Sequence, residues 1–107
     1  MASSVGAQYA SGSTKANNST LSIRTVGFVP RRVVIWNETN QCHCLWFEQL
    51  AAAAAYVVVA AGDLSVVSSA GVTALTADSS GNVGFSVGAL ANINDTTTEV
   101  LRWEAWG

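Results

Sequence analysis

Charged side chains are scarce in this chain of 107 residues. Aspartate, glutamate, lysine and arginine make up 11% of it, against about 25% in a typical soluble domain. Five basic and seven acidic residues give a net charge of −2, whereas nucleic-acid binding needs a dense basic surface that neutralises phosphates. The composition therefore argues against a nucleic-acid partner. It also predicts that part of the surface is covered in an assembly.

Long apolar runs are absent as well. The longest covers residues 50–61, which is shorter than the roughly 20 residues that a helix needs to cross a bilayer. The first residues, "MASSVGAQYASGS", have neither the basic start nor the apolar stretch of a secretion signal. We expect no membrane partner and assembly in a cytoplasm.

Cysteine and histidine are too few for a metal centre. Cys42, His43 and Cys44 are adjacent, and the chain has no other cysteine or histidine. Structural zinc takes four ligands from two separated pairs, and a disulfide between alternate residues of one strand would be strained. We therefore expect two free thiols on one face of a strand, with no metal and no cofactor.

Catalytic sets are also missing. The one histidine, His43, stands beside no nucleophile motif, so a Ser-His-Asp set has no clear members. The seven carboxylates resemble solvated turn acids, and no glycine-rich phosphate loop is present. The sequence predicts a protein that is not an enzyme.

Short segments of alternating polarity dominate the remainder. They are rich in valine, alanine, serine and threonine and are separated by polar turns, a pattern typical of antiparallel β-proteins. The sequence predicts an all-β fold, a small antiparallel β-sandwich or barrel with an extended N-terminal arm. The predicted strands lie within residues 20–26, 31–38, 42–48, 56–62, 64–69, 70–77, 83–88 and 96–107.

The first twenty residues differ from the rest. Residues 1–20 are rich in Ser, Ala, Asn and Gly, and only Val5 and Tyr9 could anchor them. We therefore divide the chain into an extended arm, 1–20, and a β domain, 21–107. Ordering such a segment costs about 1–2 kcal/mol per residue, so the arm is expected to lie on another subunit or along a sheet edge.

One predicted strand is apolar on both faces. Val33 and Ile35 point one way, while Val34 and Trp36 point the other, beside Arg32. A small domain has one core, so the second face needs another cover. We expect a homotrimer or another small ring, with at least one of the four tryptophans at its seam. The candidate interface residues are Val5, Tyr9, Lys15, Arg31, Arg32, Trp36 and Trp106.

Two features have alternative readings. The Arg31–Arg32 pair could contact an anion, or strand alternation could send one to solvent and the other to an acid. The tryptophans Trp36, Trp46, Trp103 and Trp106 could pack in the core or at an interface, or bind sugars or bases.

The order of several short motifs resembles a known family. A turn, "GFVPR", opens a strand that ends in "NET"; a Trp46–Phe47 pair, a "GFSVG" strand and a closing strand with Trp103 and Trp106 follow. From Thr25 to Gly107 this order is similar to that of small virion proteins of tailed phages. Gln49–Leu50 stands where those proteins usually have Gly-Met.

The resemblance implies a structural virion protein. It implies a capsid decoration (cement) protein on the phage head surface, with the major capsid protein as partner. The alternative is a receptor- or glycan-binding module of a head or tail fibre. A tryptophan that lines an open groove would favour this alternative; tryptophans that are buried or at subunit seams would favour decoration.

Overall fold

The computed structural model describes residues 8–107, which form one sheet of eight strands. No helix in this part of the chain could span a membrane. The strands are β1 (Tyr9–Lys15), β2 (Leu21–Ile23), β3 (Arg32–Asn37), β4 (Cys42–Phe47), β5 (Ala54–Val58), β6 (Leu64–Leu75), β7 (Gly84–Val87) and β8 (Val100–Trp106).

Every strand pairs antiparallel to its neighbours, in the order β1-β8-β3-β4-β5-β6-β7-β2. The sheet curls into a half-barrel and encloses its own core on the inner face. The predicted all-β antiparallel fold is confirmed. It takes the form of a single curled sheet, in which side chains alternate between the core and the outer surface.

The core is built from the inward positions of the strands. Val33 and Ile35 of β3 are fully buried, as the alternation predicts. Trp103 of β8 pairs with Ile35, and its ring meets that of Phe85 of β7 edge to face with centroids 5.5 Å apart. The curl of the sheet thus lets β7 and β8, which are far apart in strand order, share one apolar interior.

The predicted β3–β4 hairpin forms, whereas two later predicted strands join into one. β3 and β4 pair from Arg32↔Phe47 to Asn37↔Cys42 around the predicted polar turn. Residues 64–77 were predicted as two strands, but the structure has the single strand β6 over Leu64–Leu75. Its pairing with β5 jumps from Ala55↔Val67 to Ala54↔Val72, so the intervening residues bulge out.

The two edge strands are neighbours in sequence but lie at opposite edges of the sheet. Residues 16–20 connect β1 to β2, and the buried side chain of Asn94 holds this connection. All seven residues of β1 pair with β8. Tyr9–Lys15, which the sequence assigns to the arm, therefore lie along a sheet edge of the same chain. Val5 lies outside the described residues.

Candidate binding face

The outer face of the sheet carries three rows of side chains that run across the strands. The first row joins Tyr9, Trp106, Arg32 and Phe47; the second joins Ser11, Glu104, Val34, Leu45, Tyr56 and Val66; the third joins Ser13, Arg102, Trp36, His43, Val58 and Leu64. Polar and aromatic groups occupy the β1–β8–β3 side, while aliphatic groups occupy the β5–β6 side. The face therefore has two chemically different halves.

The apolar half ends in exposed aliphatic side chains. Leu64 and Val66 of β6 keep 63% and 65% of their surface exposed. Tyr56 pairs with Val66, and its ring meets that of Phe47 with centroids 5.9 Å apart. We call Phe47, Tyr56, Leu64 and Val66 the apolar patch. Single exposed apolar residues are ordinary, but a contiguous group of them is typical of an interaction surface.

The polar half is centred on Trp36, which is 44% exposed. Its ring lies 4.8 Å from that of His43, and its indole N–H donates to Oε1 of Glu104 at 3.4 Å. Trp36 and Arg102 line two neighbouring open grooves of about 440 and 450 Å³. We call the set Trp36, Glu38, Gln41, His43, Arg102 and Glu104 the Trp36 site.

Hydrogen bonds fix the charged groups of the Trp36 site. Arg102 Nε donates to Oε1 of Glu38 at 2.6 Å. This bond lowers the pKa of the Glu38 carboxyl and raises the pKa of the Arg102 guanidinium. The Tyr9 hydroxyl donates to Oε2 of Glu104 at 2.8 Å, and that bond raises the pKa of the Tyr9 hydroxyl. The Glu38 carboxyl is therefore an ionised acceptor at neutral pH.

Several of the sequence-predicted interface residues come together on the outer face. Tyr9 packs on Trp106 with ring centroids 5.5 Å apart, and the Arg32 guanidinium lies 4.8 Å above the Trp106 ring. Trp36 lies four residues along β3 from Arg32, on the same face of the strand. Lys15 lies at the far end of β1, where it pairs with Val100.

Arg31 is separate from this group. It stands just before β3, and its guanidinium forms an ion pair with Glu48 at 2.7 Å. The two adjacent arginines therefore have different partners. Arg31 meets an acid, while Arg32 covers an aromatic ring.

The four tryptophans divide evenly between the core and the outer face. Trp46 and Trp103 are buried, whereas Trp36 and Trp106 are on the outer face. Cys42 and Cys44 are buried as free thiols on the core side of β4, as predicted. Among residues 8–107, no group of three or more histidine, cysteine or carboxylate side chains could hold a metal ion.

Two features of this region were not predicted from the sequence. Glu104 accepts hydrogen bonds from both Tyr9 and Trp36, and these contacts depend on the registers of β8 with β1 and with β3. Glu99 is buried and accepts hydrogen bonds from the amides of Asn37 and Asn40. The "NETN" sequence was a weak signal for this polar network, because amides at a turn often bond to nearby groups.

Comparisons of the chain with protein-family models, with curated proteins and with solved structures find no match.

Proposed function

We propose that this protein is a non-enzymatic structural component of a tailed-phage virion, a decoration protein that binds the head shell as a homotrimer. The apolar patch is the observation that carries the proposal. The motif order from Thr25 to Gly107 supports the virion setting. Decoration requires no chemistry from the protein, only surfaces that bind copies of itself and the major capsid protein.

We expect the apolar patch to be buried against another subunit because it is both exposed and contiguous. Fully burying a valine or leucine side chain contributes about 1.5–3 kcal/mol. Leaving Leu64 and Val66 in water on every copy gives up that contribution and invites aggregation. Closed rotational symmetry is the usual way in which identical chains cover such a surface.

A tryptophan lies near the edge of the proposed seam, the interface between subunits of the trimer. Phe47 of the apolar patch pairs with Arg32, and Arg32 pairs on its other side with Trp106. The guanidinium of Arg32 already covers the Trp106 ring. A neighbouring copy that rests on Phe47 would extend this stack, so Trp106 is the tryptophan that we assign to the seam.

We expect the protein to bind the shell through many weak contacts that symmetry repeats, and not through one strong contact. A trimer presents each weak contact three times, and linked contacts raise the effective concentration at the shell. The low charge, 11% of residues, leaves few ion pairs to be desolvated when the protein docks. The partner in this proposal is the outer surface of a lattice of major capsid protein.

The test is binding to head shells that lack this protein. Purified wild-type protein should sediment with the shells and saturate at a fixed stoichiometry, because the shell lattice offers a fixed number of sites. Val66→Asp should bind much more weakly, because it places a charge at the proposed seam. Val29→Asp is the control, since Val29 is exposed but outside the eight strands. Wild-type protein that stays in the supernatant would refute the proposal.

A further inference from the structure

We propose that the Trp36 site binds a neutral saccharide. The site lies on the polar half of the outer face, apart from the apolar patch that the decoration proposal uses. It combines an exposed indole with open grooves and hydrogen-bonding groups. The two grooves, about 440 and 450 Å³, fall within the range of about 300–1,000 Å³ that small-molecule sites occupy.

The indole of Trp36 is a fixed platform. His43 packs against it at 4.8 Å, and Glu104 accepts its N–H at 3.4 Å. Glu104 is itself held by the Tyr9 hydroxyl at 2.8 Å. A preorganised ring loses little conformational freedom when a ligand stacks on it. The apolar face of a sugar ring is a suitable ligand, because its C–H groups can pack against an aromatic surface.

The rim of the site offers hydrogen-bonding groups that are not yet used. Within residues 8–107, the terminal nitrogens of Arg102, the Gln41 amide and the Ser13 hydroxyl make no hydrogen bond. These groups include donors and acceptors. Sugar hydroxyls both donate and accept, so a saccharide can form hydrogen bonds with these groups in either groove. An apolar ligand would leave them unpaired, which is costly when they are buried.

The charges of the site favour a neutral ligand over an anionic one. Glu38 and Glu104 contribute two negative charges, and Arg102 contributes one positive charge that Glu38 already pairs. An anionic sugar would lie near an uncompensated carboxylate. A neutral sugar can accept from Arg102 and donate to Glu104 without such repulsion.

The polar rim also distinguishes this site from a protein-docking surface. A protein partner covers a surface most effectively where it is dry and apolar, as in the patch of Tyr56, Leu64 and Val66. Docking on Trp36 would desolvate Glu38, Arg102 and Glu104 together, which requires a matching partner for each. We therefore assign protein contacts to the apolar patch and saccharide to the Trp36 site.

The experiment is native gel electrophoresis through gels that contain soluble polysaccharide. The neutral probes are dextran, mannan, galactan and a β-1,3-glucan, and the anionic probe is alginate. We expect at least one neutral polysaccharide to retard the wild-type protein. Trp36→Ala should weaken that binding about tenfold or more, while Trp36→Phe should retain part of it. Val29→Asp should bind like the wild type, since Val29 is exposed and lies outside the eight strands.

Each variant's thermal unfolding is measured to show that it is folded. Retardation by no neutral polysaccharide, stronger retardation by alginate, or unchanged binding by Trp36→Ala would overturn the proposal. If Trp36→Ala instead lowers the mass of the assembled protein, the indole contacts a protein partner and the saccharide assignment is wrong. Val66→Asp should bind polysaccharide normally, which separates this inference from the decoration proposal.

Discussion

Gly12 of β1 lies directly against the indole of Trp103. A Cβ added to Gly12 would lie 2.7 Å from Cζ2 of Trp103, closer than atoms in real structures approach. Trp103 cannot easily yield, because it is buried and packs against Phe85. The edge strand β1 can therefore close over the core at this position only because residue 12 has no side chain.

Gly12→Val should destabilise the protein through this contact. Overpacking costs about 1–3 kcal/mol, and each kcal/mol lowers the melting temperature of a domain this size by about 4–8 °C. Ser13→Val is the matched control, because residue 13 is next along β1 and points to the opposite face. Equal melting temperatures for the two variants would show that the close approach is not a constraint.

Alternation in the sequence is enough to predict the faces of the central strands. In β3, β4 and β8 the residues that the alternation groups together do share one face, and Val33, Cys44 and Leu101 on those faces are fully buried. Each strand has six or seven residues and buries one of its faces. Burial of one face therefore leaves little freedom in their register.

The edges of the fold could not be predicted in the same way. β1 has the polar sequence "YASGSTK", and it is held by β8, which lies far away in sequence. Pairing between segments so distant in the chain produces no pattern in the local sequence of either strand. The Trp36 site could be predicted only in part for the same reason. Trp36 could be identified from the sequence of β3, but Glu104 accepts hydrogen bonds from Tyr9 and Trp36 only once the strands have paired.

Asn94 is expected to contribute to stability far more than an ordinary asparagine. Its fully buried side chain accepts from the backbone N–H of Asn17 at 2.7 Å and donates to the carbonyl oxygens of Ser19 and Gly88. Asn94→Leu removes these three bonds, each of which contributes about 0.5–1.5 kcal/mol net.

Urea unfolding measures this loss, with Asn82→Ala as the control. The Asn82 side chain makes no hydrogen bond within the described part of the chain, where only its backbone is bonded. Hydrogen exchange should also quicken in β1 and β2, because residues 16–20 connect them. An Asn94→Leu variant as stable as Asn82→Ala would contradict this role.

Asp78 should make the stability of the fold depend on acidic pH. Hydrogen bonds from the backbone N–H groups of Asn82 and Ser80, together with the charge of Arg24, lower the pKa of the Asp78 carboxyl below its ordinary 3.8. A group whose pKa is lower in the folded state stabilises the protein above its unfolded pKa. That contribution is lost as the pH falls through the folded value.

The melting temperature should therefore be flat from about pH 7 to pH 5 and fall below about pH 4. Asp78→Asn should show a smaller fall over the same acidic range, measured by circular dichroism. A wild-type protein that melts at a higher temperature at pH 3 than at pH 6 would have the opposite sign and would contradict the assignment.

Cys44 should be unreactive while the protein is folded. Burial raises the pKa of its thiol to about 12, so at pH 8 the thiolate is about a thousandfold rarer than for an ordinary thiol. In Cys42→Ser, Cys44 is the only cysteine. Labelling of this variant by a disulfide reagent should be slow in buffer and fast in urea. Equal labelling rates in the two conditions would show that the reagent reaches the core side of β4 in the folded protein.

The central claim is that the apolar patch on β4, β5 and β6 is an assembly surface. Sedimentation equilibrium at micromolar concentration tests it most directly. We expect the wild-type protein and the Val29→Asp control to have three times the mass of the 11.1 kDa chain. Val66→Asp should sediment as a folded monomer. A wild-type protein that remains a monomer, with Leu64 and Val66 in water, would contradict the account.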